Sequence, residues 1–382
     1  MTRPIHLCIA ALALCGALLA CAAPANRPAP TDAQILDADR VIALLADTRS
    51  QRPLLAAAQA GGYALIGQDR LDALDLRMLT FRMPPGVTGP EAIRFLETAD
   101  PASTVGVNHA YRPVAMPSAP GTDYAADLLG WPEPGCRARA PVGMIDTAVD
   151  PGAPSLSAAR ITARSFTQGP AAPARHGTEV AAVLANPRLL NGVAIHSAAV
   201  VRPGETGDAA GADAIIRAMD WLGGSGVSLV NISLAGPFNK LLDRALRASA
   251  DRGMVVVAAI GNDGPDAAPL YPAAFPDALA VTAVDAGGRI WRRANRGAHV
   301  DFAAPGVDVL VGADGEEHFV SGTSIAAPFV TARILADPAL ARLRSAGAMR
   351  AAMQDRTQDL GQPGWDSTYG AGLPSLYGAC PG

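Results

Sequence analysis

Short, almost wholly apolar segments separated by helix-like stretches fill the chain from about residue 140, and they constrain its fold most. Strands that are apolar at every position are buried on both faces, as in a parallel sheet covered by helices on each side. We predict strands at 142–146, 199–202, 227–233, 254–260 and 278–284. We predict helices at 176–185, 212–222, 240–252 and 324–335. The pattern therefore predicts an α/β fold with a mostly parallel sheet.

The composition excludes several classes of function. Hydrophobic residues make up 49% of the 382 residues and charged residues 17%, which suits a chain with a large core. The net charge of −4 offers no basic surface for a nucleic acid. Beyond the first two dozen residues, the apolar run at 254–260 has only the length of a strand, so we predict no membrane-spanning helix.

The start of the chain has the pattern of an export signal. A short basic start precedes an unbroken run of small apolar residues at 7–20, which is shorter than a membrane-spanning helix. Leu-Leu-Ala-Cys at 18–21 resembles a bacterial lipobox, which predicts a lipid on Cys21; ordinary cleavage just downstream is the alternative. We expect a signal peptide over 1–21, a linker over 22–30, and a protein that is periplasmic, secreted or lipid-anchored to a bacterial membrane.

Two cysteines lie beyond the signal segment. Cys136 and Cys380 form an even pair in an oxidising compartment, where thiols that meet are usually oxidised. We expect a disulfide that ties the C-terminal tail to the start of the second domain; two unrelated buried thiols are the alternative. The sequence has no CxxC pair and no metal-ligand spacing, so we predict no metal centre from it.

Ahead of the apolar strands, the pattern predicts a smaller unit. The apolar stripe of 31–50 predicts a helix, and the alternation at 74–78 predicts a strand. A Thr-x-x-Glu capping box at 88–91 predicts the start of a second helix, and Val105 indicates a further strand. We therefore expect a small β-α-β unit over 63–111.

Proline and glycine mark the boundary between the two parts. Residues 112–139 have the composition of a linker, so we predict one domain at 31–111 and a second at 140–382.

Four polar residues follow strands or open helices of the predicted sheet. Asp146 ends the first predicted strand, and Asn262 follows the fourth. His176 and Ser324 each open a predicted helix. Because ligand sites in parallel sheets lie at the carboxyl ends of the strands, we expect these side chains to line one cleft.

These residues belong to four short motifs. Met-Ile-Asp-Thr stands at 144–147, His-Gly-Thr at 176–178, Gly-Asn at 261–262 and Gly-Thr-Ser-Ile-Ala-Ala-Pro at 322–328. Together they resemble the signatures of the subtilisin-like serine proteases, which share the order aspartate, histidine, serine. The resemblance extends from residue 140 to about residue 375. It implies a subtilisin-like three-layer α/β/α fold, preceded by a small α+β propeptide-like domain.

The resemblance also implies a role for each polar residue. A serine hydroxyl is a poor nucleophile, so Ser324 needs His176 as a base. Asp146 would orient the imidazole and stabilise its charged form. Asn262 and the Ser324 N–H would bind the oxyanion. The implied activity is that of a serine endopeptidase acting on polypeptides, with no cofactor needed for catalysis.

Further residues match the substrate cleft of that family. The edge on which an extended peptide is laid corresponds to Ser233, Leu234, Ala235 and Gly236, and the wall of the primary pocket to Ala259, Ile260 and Gly261. Small residues there imply a preference for aromatic or large aliphatic side chains before the scissile bond.

The segment 107–111 resembles the end of a subtilase propeptide. This implies that 31–111 assists folding and acts as an intramolecular inhibitor, with self-cleavage near Tyr111. A permanently attached accessory domain is the alternative.

Other readings stay open at this point. The Asp-rich loops at 263–266 and 285–288 are candidates for structural calcium, as in many subtilases. A catalytically silent binding protein on the same scaffold, and a triad hydrolase acting on esters, are alternative functions.

Overall fold

The computed structural model describes residues 35–117, 123–204, 207–376 and 380. The predicted signal peptide, the 22–30 linker and the lipidation site Cys21 lie outside the described residues.

A small α+β domain precedes the main domain. Its sheet has four antiparallel strands in the order β3-β4-β2-β5, with both helices packed on one face. The strands up to residue 117 are β1 (Ile35–Leu36), β2 (Arg40–Ala46), β3 (Ala64–Leu71), β4 (Leu76–Arg82), β5 (Thr104–Gly106), β6 (Asn108–Pro113) and β7 (Met116–Pro117). The helices are α1 (Arg52–Ala60) and α2 (Gly89–Ala99).

The prediction of a helix at 31–50 is wrong, because residues 40–46 form strand β2. Its odd-numbered residues, such as Val41 and Leu45, pack against α1 and α2 in the core of the small domain. Its even-numbered residues Ile42 and Leu44 join a core cluster of the main domain. Burial on both faces makes the strand apolar throughout, so its sequence shows no period-two alternation.

The other predictions for the small domain are mixed. The capping box is present: the Thr88 backbone N–H donates to the Glu91 carboxylate, and α2 begins at the next residue. The expected β-α-β unit is present as β4, α2 and β5: both strands pair antiparallel with β2, which lies between them, so they run parallel to each other. The sequence analysis missed α1 and β3.

The main domain is built on a seven-stranded parallel sheet in the order β10-β12-β9-β15-β17-β18-β19. Its strands are β8 (Cys136–Arg137), β9 (Val142–Asp146), β10 (Arg160–Ser165), β11 (Leu190–Asn191), β12 (Ala194–Ala199), β13 (Val201–Arg202), β14 (Ala209–Gly211), β15 (Leu229–Ile232), β16 (Leu234–Ala235), β17 (Val255–Ala259), β18 (Ala278–Val284), β19 (Phe302–Pro305), β20 (Val309–Ala313), β21 (Glu316–Ser321), β22 (Thr357–Gln358) and β23 (Leu373–Pro374). Its helices are α3 (Ala125–Leu128), α4 (Arg175–Ala185), α5 (Ala212–Gly224), α6 (Lys240–Asp251), α7 (Thr323–Ala336) and α8 (Ala346–Gln354).

Helices cover both faces of this sheet, which confirms the predicted α/β class. In β17, Val255 and Val257 pack on the side of α4 and α7, whereas Val256 and Ala258 pack on the side of α5 and α6. Every residue of β17 and β18 is buried. The strand predicted at 199–202 is divided: β12 ends at Ala199, and Val201–Arg202 form β13, which pairs with β14 outside the seven-stranded sheet.

The small domain contacts the main domain through ion pairs as well as through β2. Arg217 on α5 pairs with Asp69 at 3.0 Å, and Lys240 on α6 pairs with Glu97 at 2.6 Å. Asp220 on α5 accepts the backbone N–H of Ala73 at 2.7 Å. Among the described residues, no helix has the length and apolar character needed to cross a membrane.

We expect Arg333→Ala to lower the stability of the main domain. The Arg333 guanidinium on α7 is buried and lies 3.3 Å from the buried Asp337 carboxylate. Removing one partner of a buried pair costs about 3 kcal/mol, the lower end of the usual range because Arg356 remains 3.9 Å from Asp337.

The measurement is urea unfolding of the variant and its parent, both in a Ser324→Ala background. The matched control is Arg247→Ala, which removes an exposed arginine paired with Asp243 on α6 and should cost under about 1 kcal/mol. Equal midpoints for the two variants would contradict the expectation.

Candidate active site

The structure brings Asp146, His176 and Ser324 into one hydrogen-bonded row. The Asp146 Oδ1 atom lies 2.6 Å from His176 Nδ1, and His176 Nε2 lies 3.2 Å from Ser324 Oγ. Asp146 is the last residue of β9, an interior strand of the sheet, and is fully buried. The three residues come from one strand end and the N-terminal turns of α4 and α7, as expected at the carboxyl edge of a parallel sheet.

The close packing of α4 on the β9 loop depends on Gly177. Its N–H donates to Thr147 Oγ1 at 2.7 Å, which fixes the first turn of the helix next to Asp146. A Cβ at this position would lie 2.4 Å from the Ala148 carbonyl oxygen. The residue after His176 therefore has to be glycine for the imidazole to reach the carboxylate.

Two opposing effects act on the His176 imidazole. Burial disfavours its charged form, but the negative charge and hydrogen bond of Asp146 favour it and outweigh burial, with a further contribution from Glu179. The pKa of His176 is therefore raised above its ordinary value of 6.5. A general base must be neutral, so activity through His176 is lost as the pH falls through this raised pKa.

Asn262 is held in one amide orientation by the helix that carries Ser324. Its Oδ1 accepts the Thr323 backbone N–H at 3.1 Å and the Thr323 hydroxyl at 2.8 Å. This leaves Nδ2 directed into the cleft, where it donates to the Val114 carbonyl oxygen at 2.5 Å. Gly261 has φ 105°, which places Asn262 at the end of β17 in a turn that suits glycine.

The Val114 carbonyl contacts the Ser324 hydroxyl and both groups expected to bind an oxyanion. Its oxygen lies 2.6 Å from Ser324 Oγ and 3.4 Å from the Ser324 backbone nitrogen, besides the contact with Asn262. The carbonyl of one peptide bond of this chain thus faces a hydroxyl, an amide and a backbone N–H together.

The chain on either side of Val114 lies in the cleft as an extended strand. Before it, β6 pairs antiparallel with β16, with Pro113 opposite Leu234 and Arg112 opposite Ala235. On its other side β6 pairs with β14. After it, β7 pairs antiparallel with β21. The segment predicted as the start of a linker is therefore ordered on both sides of Ser324.

The predicted peptide-binding edge contacts this strand through its backbone. Leu234 and Ala235 form β16, and Gly236 bridges to Tyr271. Ser233 precedes β16, and its hydroxyl donates to the Ser324 carbonyl at 2.8 Å.

The three residues of the predicted pocket wall lie behind the cavity beside Val114 and are not among the residues that line it. The side chains of Ala259 and Ile260 are fully buried in the two core clusters. Gly261 packs against Leu270, where a Cβ would lie 2.5 Å from a Leu270 methyl group.

Sequence reasoning missed three residues beside Val114. A cavity of about 340 Å³ next to it is lined by Leu270, Asp263 and Arg293, along with Ala235 and Gly236. These three side chains belong to loops after β17 and β18. Asp263 was considered only as part of a candidate calcium loop, and Leu270 and Arg293 belong to no recognisable motif.

The described residues offer little for a cation. No group of three or more His, Cys, Asp or Glu side chains among them could hold a metal ion. Within the candidate calcium loop at 285–288, the Asp285 carboxylate is taken up by the N–H groups of Gly287 and Arg289.

A model of the subtilase family matches residues 139–372, which contain all four motifs. The chain belongs to the subtilase family.

Individual relatives agree with this assignment. The chain is 34% identical over 223 residues to the thermophilic serine proteinase of Bacillus sp. strain AK1, covering 55% of this chain and 53% of the relative. It is 33% identical over 163 residues to subtilisin BL of Lederbergia lenta, covering 41% and 60%. This subtilase thus spans about half the length of the curated relatives it matches.

The fold also resembles a solved structure. Fervidolysin from Fervidobacterium pennivorans, described as a keratinolytic enzyme related to subtilisin, superposes with a TM-score of 0.74 at 18% identity. The likeness covers 92% of this subtilase and 63% of fervidolysin. The superposed region is therefore longer than residues 139–372, which the family model matches.

We expect Asn262→Ala to slow turnover strongly without unfolding the protein. The side chain supplies the shortest hydrogen bond to the Val114 carbonyl, and loss of one such donor in subtilisin costs about 100- to 1,000-fold in kcat. The measurement is the rate at which the full-length chain converts to a shorter product. As a control, Asn191→Ala removes an exposed amide that bonds only the Pro134 carbonyl and should leave the rate unchanged.

Proposed function

We propose that this subtilase is an exported serine endopeptidase that cleaves its own chain between Val114 and Ala115. The observation that carries the proposal is the contact of the Val114 carbonyl oxygen with Ser324 Oγ and Asn262 Nδ2, at 2.6 and 2.5 Å. A peptide carbonyl at this point favours a peptidase over an esterase. The presence of Asp146, His176, Asn262 and Ser324 together around this carbonyl favours an enzyme over a silent binding protein.

The proposed reaction is acyl transfer through an ester on Ser324. The Ser324 oxygen attacks the Val114 carbonyl carbon while His176 accepts the hydroxyl proton, and Asp146 stabilises the resulting imidazolium. Asn262 and the Ser324 N–H stabilise the oxyanion. His176 then protonates the Ala115 nitrogen as the peptide bond breaks. Water, deprotonated by His176, hydrolyses the ester and restores the serine.

This cleavage position replaces our expectation of cleavage near Tyr111. The Tyr111 backbone pairs with β14, and its side chain is buried with its hydroxyl donating to the Pro237 carbonyl at 3.0 Å. Tyr111 is therefore a residue that anchors the strand, three positions before the peptide bond next to Ser324.

We further propose that the N-terminal domain inhibits the mature enzyme until it leaves. Strand β6 occupies the edge of β16 that a substrate would use, and the domain adds ion pairs such as Arg217–Asp69 and Lys240–Glu97. Cleavage alone breaks none of these contacts. A permanently attached accessory domain would show no cleavage at all.

The proposed compartment is outside the cytoplasm. The sequence pattern of residues 1–21 supports export, with lipidation of Cys21 or ordinary cleavage as the two outcomes. The pairing of Cys136 with Cys380, whose Cα atoms lie 5.5 Å apart, supports a disulfide that forms there. Residues 263–266 stay our candidate for structural calcium, without a donor cluster to support it.

We expect the purified wild-type protein to yield a fragment whose first residue is Ala115. Ser324→Ala should stay full-length, because loss of this nucleophile in subtilisin lowers kcat by roughly 10⁶-fold. Intact mass spectrometry before and after reduction measures the cleavage position, the Cys136–Cys380 bond and any lipid. Cleavage of the Ser324→Ala chain at the same bond, or an uncleaved wild type, would contradict the proposal.

We expect substrates with aromatic or large aliphatic residues before the scissile bond to be cleaved fastest. The residue before the scissile bond, Val114 in this chain, lines a cavity of about 340 Å³ together with Leu270. Burial of a large apolar side chain in this cavity would stabilise the complex. A peptide panel varied at this one position, compared by kcat/KM, measures the preference. Fastest cleavage after Lys or Asp would refute it.

A further inference from the structure

A second carboxylate lies near the catalytic histidine and has no place in the mechanism above. Glu179 on α4 is one helical turn after His176, and only 5% of it is exposed. Its Oε1 accepts a hydrogen bond from Arg175 Nε at 3.0 Å. It also lies 2.8 Å from His318 Nε2, which must donate because a carboxylate only accepts.

This carboxylate links two elements of the active site. His318 lies in β21, the strand that runs directly into Ser324 at the start of α7. Glu179 therefore joins the helix that carries His176 to the strand that leads to the nucleophile. A bond between these two elements fixes their separation, and the His176–Ser324 distance depends on that separation.

The charges around His176 come from several elements. Asp146 faces it from β9. A cavity of about 610 Å³ beside it is lined by Glu179 and Arg175 from α4, by Arg112 from β6, and by Asp208. His318 faces Glu179 from β21.

Of these groups, Glu179 is a buried carboxylate on the same helix as His176, three residues after it. Residues three apart on a helix lie on the same face. Arg175 is half exposed, so water screens its charge more than it screens that of Glu179.

We propose that Glu179 is a positioning residue that holds α4 against β21 and stabilises the imidazolium form of His176 during acyl transfer. The inference rests on the proposed function and adds a second negative charge to its triad. Because His176 is charged in the transition state but neutral in the resting enzyme, a nearby carboxylate favours the transition state. The electrostatic effect of Glu179 on His176 has the required sign, since it raises the pKa of the imidazole.

The test is Glu179→Gln, which keeps an oxygen acceptor for Arg175 and His318 and removes only the charge. In uncleaved Ser324→Ala protein, an NMR titration of the His176 ring should show a lower midpoint than in the parent. In the Ser324 enzyme, the acid limb of kcat/KM should move down equally, and the plateau should fall tenfold for each pH unit of that shift.

Three further variants separate charge from structure. Glu316→Gln removes an exposed carboxylate of β21 and should leave the midpoint unchanged. The double variant Arg175→Gln/Glu179→Gln removes the whole ion pair, and its midpoint should be lower than that of Arg175→Gln alone. This comparison also decides the matter if Glu179→Gln alone does not fold.

A midpoint that is equal in the parent and Glu179→Gln, or equal in Arg175→Gln and the double variant, would overturn the inference. If the wild-type enzyme cleaves no peptide, the proposed function fails, yet the titration still decides whether Glu179 acts on His176.

Discussion

The arrangement of the site depends on one buried charge. Asp146 is fully buried, and a carboxylate without partners is costly in such a place. Its Oδ1 accepts hydrogen bonds from His176 Nδ1 and from the Thr147 backbone N–H, both at 2.6 Å. These two bonds fix the imidazole tautomer and tie the end of β9 to α4. The proposed base is therefore oriented by the same contacts that make the burial of Asp146 tolerable.

Recognition and inhibition use the same backbone contacts. Strand β6 lies between β14 and β16, so the main domain surrounds it as it would surround an added substrate strand. Tyr111 and the ion pairs of the small domain hold this strand in place independently of the Val114–Ala115 bond. On the proposed mechanism, the N-terminal domain is the first substrate and then an inhibitor. Its contacts with the main domain do not depend on the Val114–Ala115 bond, so they persist after that bond is cleaved.

Several parts of the fold were predictable from sequence because local pattern and tertiary environment agree. The strand predicted at 278–284 is β18, and the capping box at 88–91 starts α2, since each signal is contained within a few residues. Strand β2 was mistaken for a helix because two different cores bury its two faces. An apolar run of that length has no alternation to distinguish the two structures. The pairing of β2 with β4 and β5 was missed for a different reason, since it depends on contacts between distant segments.

The sequence by itself determined the chemistry available to this subtilase. Asp146, His176, Asn262 and Ser324 stand in motifs whose residue types and order already indicate acyl transfer, because a weak nucleophile needs a base and an oxyanion needs donors. Only the tertiary structure decided which peptide bond meets them, which side chains line the cavity beside Val114, and that Glu179 reaches His318 on another element. These facts depend on where loops without motifs are placed by the packing of the sheet, and no local pattern in a chain encodes a distance between residues so far apart.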